Sequence, residues 1–374
     1  MITILHLITD LEMGGAEVML TKLLKMMDQW RYKNVVVSLT SRGYLAERIE
    51  AAGVRVHSLG MERARIDVTV LPKLVKLVRE IQPTILQTWL YHADLLGTAA
   101  AILSNRARLV WNIRCSDMNL AHYPWTTRVT LKLLALCSRV PQTVIVNSHV
   151  GQRFHQEIGY RSRRWRVIPN GFDVDEFRPQ PAVYRSWREE LGLRPDTIVI
   201  GMVARIDPMK DHATFLQAAR QVAAARDNVA FILVGKGVDL LASQTNVLDL
   251  AGKVHLLGVR PDMESIMPAF DIFSLTSAFG EGFPNVVGEA MACGVPCVVT
   301  DVGDSAFLVG EGGRIVPPMN PDLLAREWLN IIDMDRGQRL QLGEVCRERI
   351  KHHFSLRSVV NKYQQCYDEL LLAS

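Results

Sequence analysis

What this chain of 374 residues lacks narrows its class before any motif is read. No uncharged apolar run reaches the ~18 residues that a membrane-spanning helix needs. The apolar run from Ile2 to Ile8 has no basic flank and meets Asp10 and Glu12 directly, so it reads as a first β-strand and not as a signal peptide. Cysteine is sparse and scattered (Cys115, Cys137, Cys293, Cys297, Cys346, Cys366), without a Cys-x-x-Cys pair. That excludes a disulfide scaffold and a zinc ribbon, and predicts idle thiols in a reducing cytosol. The G-x-G-x-x-G of nicotinamide enzymes is missing after the first strand. No helix-turn-helix, RNP or zinc-finger pattern is present, so nucleic acid is not an expected partner.

What is present is an ordinary globular composition, 48% hydrophobic and 22% charged, in a length that predicts two or three domains. The net charge of +4 hides an asymmetry: residues 1–173 hold 23 Lys+Arg against 13 Asp+Glu, and the remainder 20 against 26. A half at +10 beside a half at −6 implies different partners, the basic half drawn to something anionic such as a phosphorylated ligand or a membrane surface.

Short β-branched or apolar runs alternate with helix-like windows along both halves, the pattern of parallel sheets with crossover helices. The first series ends near residue 172. Residues 173–196, with Pro179, Pro181 and many charges, read as a linker. A second series of six strand candidates then runs from Thr197 to Val316. The expected fold is α/β, two Rossmann-like doubly wound domains (1–172 and 197–354) facing a central cleft that would take a ligand.

The chemistry-bearing residues fall at strand ends. Gly14-Gly15-Ala16-Glu17 opens a helix after the first strand, where free N–H groups favour an anion. Arg205 and Lys210 straddle a Pro-containing turn after a strand and could clamp two adjacent phosphates, or be two solvated cations. Farther on, a Gly-rich loop carrying Glu281 meets a helix start at Pro284-Asn285-Val286, a second set of N–H donors suited to a diphosphate. Glu289 lies in a small, apolar helix, so its carboxylate needs partners, which ribose or sugar hydroxyls or an internal salt bridge could supply.

Taken together in order, Gly14-Gly15-Ala16-Glu17, Ile168-Pro169-Asn170-Gly171-Phe172-Asp173, Arg205 with Lys210, and Glu281-x₇-Glu289 resemble the retaining GT-B glycosyltransferases of family 4 over nearly the whole chain. The resemblance implies that Arg205 and Lys210 neutralise a departing nucleotide diphosphate, that Glu289 binds ribose, and that Glu281 holds the donor sugar. It implies that the Gly14 and Gly15 amides face donor phosphates or the acceptor, with Glu17 and Arg114 on the acceptor side. His92, in Trp89-Leu90-Tyr91-His92-Ala93-Asp94, matches the family histidine that faces the reacting sugar. Gly235 and Gly258-Val259 fall where the family's loops approach the nucleotide, though Lys236 stands where an acidic residue is common. Residues 355–374 resemble the terminal helix that packs back on the first domain.

The function this implies is a metal-independent, retaining transfer from a nucleotide-diphosphate sugar, expected to be UDP-linked, to a glycan or lipid-linked acceptor in cell-surface polysaccharide or glycolipid synthesis. No cofactor is expected. A nucleotide-sugar 2-epimerase of the same fold and a sugar-nucleotide-binding regulatory protein stay open as alternatives. Metal-dependent transferases use Asp-x-Asp, which occurs here as Asp173-Val174-Asp175 and Asp333-Met334-Asp335, in the linker approach and a late helical region. The expected location is cytoplasmic, with peripheral contact at an anionic inner membrane face. Trp165 among Arg161, Arg163, Arg164 and Arg166, Arg106 beside Arg108, and Arg128 with Lys132 near Trp125 are the candidates for that contact.

Overall fold

The computed structural model describes residues 1–62, 67, 69–104, 107–114 and 125–372, the Trp125 side chain excepted. The chain divides into two compact units, Met1–Gly171 with Leu356–Ser374, and Phe172–Ser355.

Unit 1 is built on seven parallel strands, β1 (Ile2–Ile8), β2 (Tyr32–Ser38), β3 (Arg55–Ser58), β4 (Ile85–Trp89), β5 (Arg108–Ile113), β6 (Thr143–Val146) and β7 (Trp165–Val167). Their spatial order β3-β2-β1-β4-β5-β6-β7 puts the topological switch between β1 and β4. Both faces are covered, so the strands read as almost unbroken apolar runs. In β1, Ile4 and Ile8 enter the core beneath α1 (Gly15–Met26) and α15 (Leu356–Leu372), while Leu5 and Leu7 enter the core beneath α3 (Val70–Ile81), α4 (Tyr91–Ser104) and α5 (Trp125–Cys137). The helices α2 (Ala46–Ala51) and α6 (His149–Glu157) complete the crossovers.

The strand β7 was hidden in the sequence by its arginines, and its pairing with β6 corrects the reading of Trp165 as a lipid-facing residue. The Trp165 ring is half-buried against the core, and Arg164 and Arg166 both pair with Glu369 of α15. Arg108 donates to the Leu370 carbonyl, and Arg31 pairs with Asp368 at 2.5 Å. The returning helix α15 thus pairs three arginines of unit 1 with its two carboxylates. Arg106 lies outside the described residues.

Unit 2 holds six parallel strands, β8 (Ile198–Val203), β9 (Val229–Val234), β10 (Val254–Leu256), β11 (Ile272–Leu275), β12 (Cys297–Thr300) and β13 (Gly313–Val316), ordered β10-β9-β8-β11-β12-β13 with the switch between β8 and β11. Residues 173–196 are not an open linker. They contain α7 (Pro181–Glu190), which starts at a proline and buries Trp187 in the unit 2 core. Arg188 of this helix pairs with Asp271 at 2.5 Å, and Tyr184 donates to the same carboxylate at 2.8 Å. The remaining helices are α8 (His212–Ala225), α9 (Ala242–Val247), α10 (Met263–Ile266), α11 (Asn285–Ala292), α12 (Ser305–Val309), α13 (Pro321–Ile332) and α14 (Arg336–Arg349), the last followed by a π-helical turn over Ile350–Phe354.

Neither Asp-x-Asp triplet gathers ligands. Asp173 accepts from the Asp175 and Glu176 amides at 3.1 Å each, Asp335 caps α14, and Asp333 pairs with Arg226 at 2.6 Å. Among the described residues no three His, Cys, Asp or Glu side chains form a metal-ligating group, and no helix is long and apolar enough to cross a membrane.

Candidate active site

The switch point of unit 2 opens into a hollow of about 350 Å³ at the carboxyl ends of β8 and β9. Its wall brings together Arg205, Lys210, Gly235, Glu281 and the start of α11 at Pro284, Asn285 and Val286. In an open parallel sheet this is where ligands bind. Gly235, at φ 147°, is required there, because a Cβ would run into the Ala204 backbone.

The loop after β8 is fixed from within. Asp207 accepts from the Met209 amide at 3.0 Å and from Arg205 at 3.0 and 3.2 Å; the Met209 amide, then Arg205, hold its carboxyl below the usual range. Asp211 takes a left-handed conformation, φ 46°, and caps α8 by accepting from the Thr214 amide at 3.1 Å. Thr276, after β11, donates to the Lys210 and Asp211 carbonyls at 2.9 and 3.0 Å and so ties this loop to the next.

Lys210 pairs with Glu281, at side-chain exposures of 14% and 8%, and Ser277 donates to the same Glu281 oxygen at 2.5 Å. Arg205, in contrast, is 60% exposed and pairs only with Asp207 of its own loop. Pro284 stands at the N-cap of α11 and offers no capping side chain, so the positive end of the helix faces the hollow. A compact ammonium, an exposed guanidinium and a helix start on one wall are the chemistry that two linked phosphates would need.

Other expected positions fall nearby or elsewhere. Glu289 lies one turn along α11, half-buried and outside the residues that line the hollow. Gly258, at φ 64°, accepts from the Gly235 amide at 2.7 Å, and Val259 beside it is exposed. Ser277 and Thr276 were not singled out in the sequence. Only their position after a strand could have drawn attention to them.

In unit 1, Gly14 precedes α1 in extended conformation, and the Glu17 carboxylate folds back so that a Cβ on Gly14 would strike it. The helix start is thus occupied by the protein's own carboxylate. Burial raises the Glu17 pKa, opposed by the Glu17 and Ala16 amides. Gly15 begins the helix with open space around its Cα. Arg114 turns to the C-terminal helix, donating to the Tyr363 hydroxyl at 3.2 Å and to Asn170, with its guanidinium 5.8 Å from the Trp89 ring centre.

His92 is the second residue of α4, half-buried, and burial lowers its pKa. Its turn is over-determined. Leu90 sits at φ 73°, Tyr91 exchanges a hydrogen bond of 2.8 Å with buried His155, and fully buried Asp94 accepts from Thr88 at 2.5 Å. A second hollow, of about 230 Å³, lies beyond β1, β2 and β3 and is lined by Asp10, Glu12, Thr40, Ser41 and Glu62. The described part of its wall presents carboxylates and hydroxyls.

Two doubly wound parallel sheets of seven and six strands, the second opening a cationic hollow at its switch point, are the GT-B architecture. The chain belongs to glycosyltransferase family 4: residues 13–176 match the family described as Glycosyltransferase Family 4, and residues 197–334 match Glycosyl transferases group 1.

A UDP-Gal:alpha-D-GlcNAc-diphosphoundecaprenol alpha-1,3-galactosyltransferase of Escherichia coli is 30% identical over 55% of this chain and 54% of its own length. The putative glycosyltransferase EpsF of Bacillus subtilis is 24% identical over 80% and 79%. The chain therefore spans about half the length of the first of these relatives. Among solved structures, Anabaena Alr3699/HepE in complex with UDP superposes with a TM-score of 0.85 at 24% identity, covering 98% of this chain and 100% of that one. Its complex with UDP-glucose gives 0.81 at 25% identity, covering 99% and 100%.

Proposed function

We propose that this chain transfers a sugar from a nucleotide-diphosphate donor, UDP-linked, to a glycan or lipid-linked acceptor, with retention at the anomeric carbon and without a metal ion. The observation that carries the reading is the hollow of unit 2, where Lys210, Arg205 and the uncapped start of α11 converge on one volume. The names of the relatives support a lipid-linked acceptor, and the UDP and UDP-glucose complexes of the similar fold support the base.

The mechanism follows from where charge develops. As the bond between the anomeric carbon and the diphosphate oxygen breaks, its electron pair goes to the diphosphate and the sugar gains oxocarbenium character. Groups that meet the diphosphate more strongly in that state than in the ground state lower the barrier. Lys210 and Arg205 serve as those groups, the α11 amides hold the second phosphate, Glu281 accepts from donor-sugar hydroxyls, and Glu289 binds the ribose. The acceptor oxygen bonds to the anomeric carbon on the face the diphosphate leaves. Its proton passes to the departing phosphate oxygen. In this reading His92 takes the role of the family histidine that meets the reacting sugar, Glu17 serves the acceptor, and transfer serves surface-glycan or glycolipid synthesis on the cytoplasmic side.

Titration calorimetry with UDP, UDP-hexoses and GDP-mannose in EDTA tests this. UDP-sugars are expected to bind, and product is expected only when an acceptor is added. Binding of GDP-mannose alone overturns the choice of base, absence of any nucleotide binding overturns the reading, and product from donor alone replaces transfer by epimerisation.

A further inference from the structure

The exposed apolar side chains of unit 1 are not scattered. Val129, Leu133, Leu136 and Val140 are 41–80% exposed, and the three within α5 recur at spacings of four and three, which places them on one helix face. Arg128 and Lys132, also exposed, run along the same helix four residues apart, and exposed Arg139 follows it. Neighbouring α4 adds exposed Ile102 and Leu103 at its end, and Arg79 of α3 donates to the Leu103 carbonyl at 2.9 Å, bringing a further cation to that edge. Among the described residues, α5 contains no Asp or Glu, and the one acid of α4, Asp94, is fully buried. Among the described residues, Lys132 and Arg139 form no ion pair.

We propose that the outer face of α5, with the end of α4, is a docking surface for an anionic lipid bilayer. An amphipathic helix of this kind lies in the interface with its apolar side chains among acyl chains and its cations at the headgroups. The charge argues for this occupant over a second copy of the chain, since a two-fold pairing would set Lys132 and Arg139 against their own likes. It also distinguishes α5 from the Trp165 segment, whose Arg164 and Arg166 are already spent on Glu369. The inference deepens the lipid-linked acceptor proposed above by naming where the membrane is met, but vesicle binding is read without donor or turnover, so either can fail alone.

The test is sedimentation of the full chain with vesicles of phosphatidylglycerol and phosphatidylcholine, against phosphatidylcholine alone. Binding is expected to anionic vesicles only and to weaken as salt rises. Leu133→Ser with Leu136→Ser should lower the partition coefficient more than tenfold at unchanged Tm. Lys132→Ser with Arg139→Ser should lower it about 25-fold, roughly fivefold for each cation lost. Arg161→Ser with Arg163→Ser should change it less than twofold. Wild type remaining in the supernatant at low salt overturns the proposal, as does unchanged binding by the α5 variants. A dimer in sedimentation equilibrium that Leu133→Ser with Leu136→Ser dissociates assigns the face to a second copy instead.

Discussion

Residues 1–173 carry the excess positive charge and residues 174–374 the excess negative, yet the hollows at the strand ends are the other way round. The hollow on the basic half is walled by Asp10, Glu12 and Glu62, and the hollow on the acidic half by Arg205 and Lys210 beside Glu281. Net charge describes the whole surface of a unit. A site is described by the few side chains that its loops converge. Part of the basic surface of unit 1 turns to α15, whose Asp368 and Glu369 pair with Arg31, Arg164 and Arg166 and whose Leu370 carbonyl and Tyr363 hydroxyl accept from Arg108 and Arg114. The two helix starts differ in the same sense: that of α11 has a proline at its cap position, while Glu17 folds over that of α1.

The sharpest way to break this comparison is to remove the cation of the unit 2 hollow. Lys210→Ala should lose about 3 kcal/mol of transition-state stabilisation, roughly 100-fold in kcat, as for one deleted charge-stabilising donor, with activity still surviving EDTA. Strong inhibition by EDTA that manganese reverses would assign the leaving group to a metal instead.

Next in size are the carboxylates. Glu289→Gln should raise donor KM by one to two orders of magnitude, from the ~1.5–3 kcal/mol of charge-assisted bonds to ribose. Glu281→Ala should instead alter discrimination between sugars on one base. Equal weakening of free UDP binding by both variants contradicts this division of roles.

In unit 1 the expected effects are on stability. Burial pushes the Asp94 carboxyl up to about 8, with the Thr88 hydrogen bond pulling the other way. The folded state therefore holds a proton that the unfolded state has released, and stability falls as pH rises from the unfolded value, near 4, to about 8, by at most about 1.4 kcal/mol per pH unit. Denaturant unfolding at pH 5.5 and 7.5 should show wild type losing more stability than Asp94→Asn; parallel losses would mean that Asp94 is ionised in the fold.

Smallest of all, Tyr363→Phe removes the hydroxyl that accepts from Asn112 at 2.9 Å and from Arg114. It should cost about 1–2 kcal/mol in unfolding free energy and leave UDP affinity unchanged. Weakened UDP binding in this variant would show that the staple on α15 reaches beyond unit 1.

Much of this was legible in sequence, and the reasons are local. Parallel strands buried on both faces are apolar throughout, so β1, β2, β8 and β9 were visible within two residues, and glycines, Arg205, Lys210 and Glu281 stand out because they follow such strands. What escaped depends on partners distant in the chain. The strand β7 is three residues among arginines and exists through its pairing with β6. The helix α7 is charged and proline-led, and only Trp187 and the Arg188–Asp271 pair reveal that it belongs to unit 2. Ser277 acts on Glu281 four residues away, but nothing in a serine announces its acceptor. Arg114 sits at a strand end as a ligand contact would, and its partner Tyr363 lies on the last helix.

The pairing of Lys210 with Glu281 means that the hollow carries its own stand-in ligand. An anion that arrives meets an ammonium already satisfied by a carboxylate, so binding is an exchange of counter-ions. An anion of one charge would gain little over the carboxylate it displaces, whereas a diphosphate bound as proposed, with more charge spread over two groups, would gain from Arg205 and the positive end of α11 as well. The displaced Glu281 is then released toward whatever hydroxyls the ligand brings. When the diphosphate must leave, the same carboxylate competes for the lysine again, and the element that selects the ligand also helps to return the hollow to its starting state.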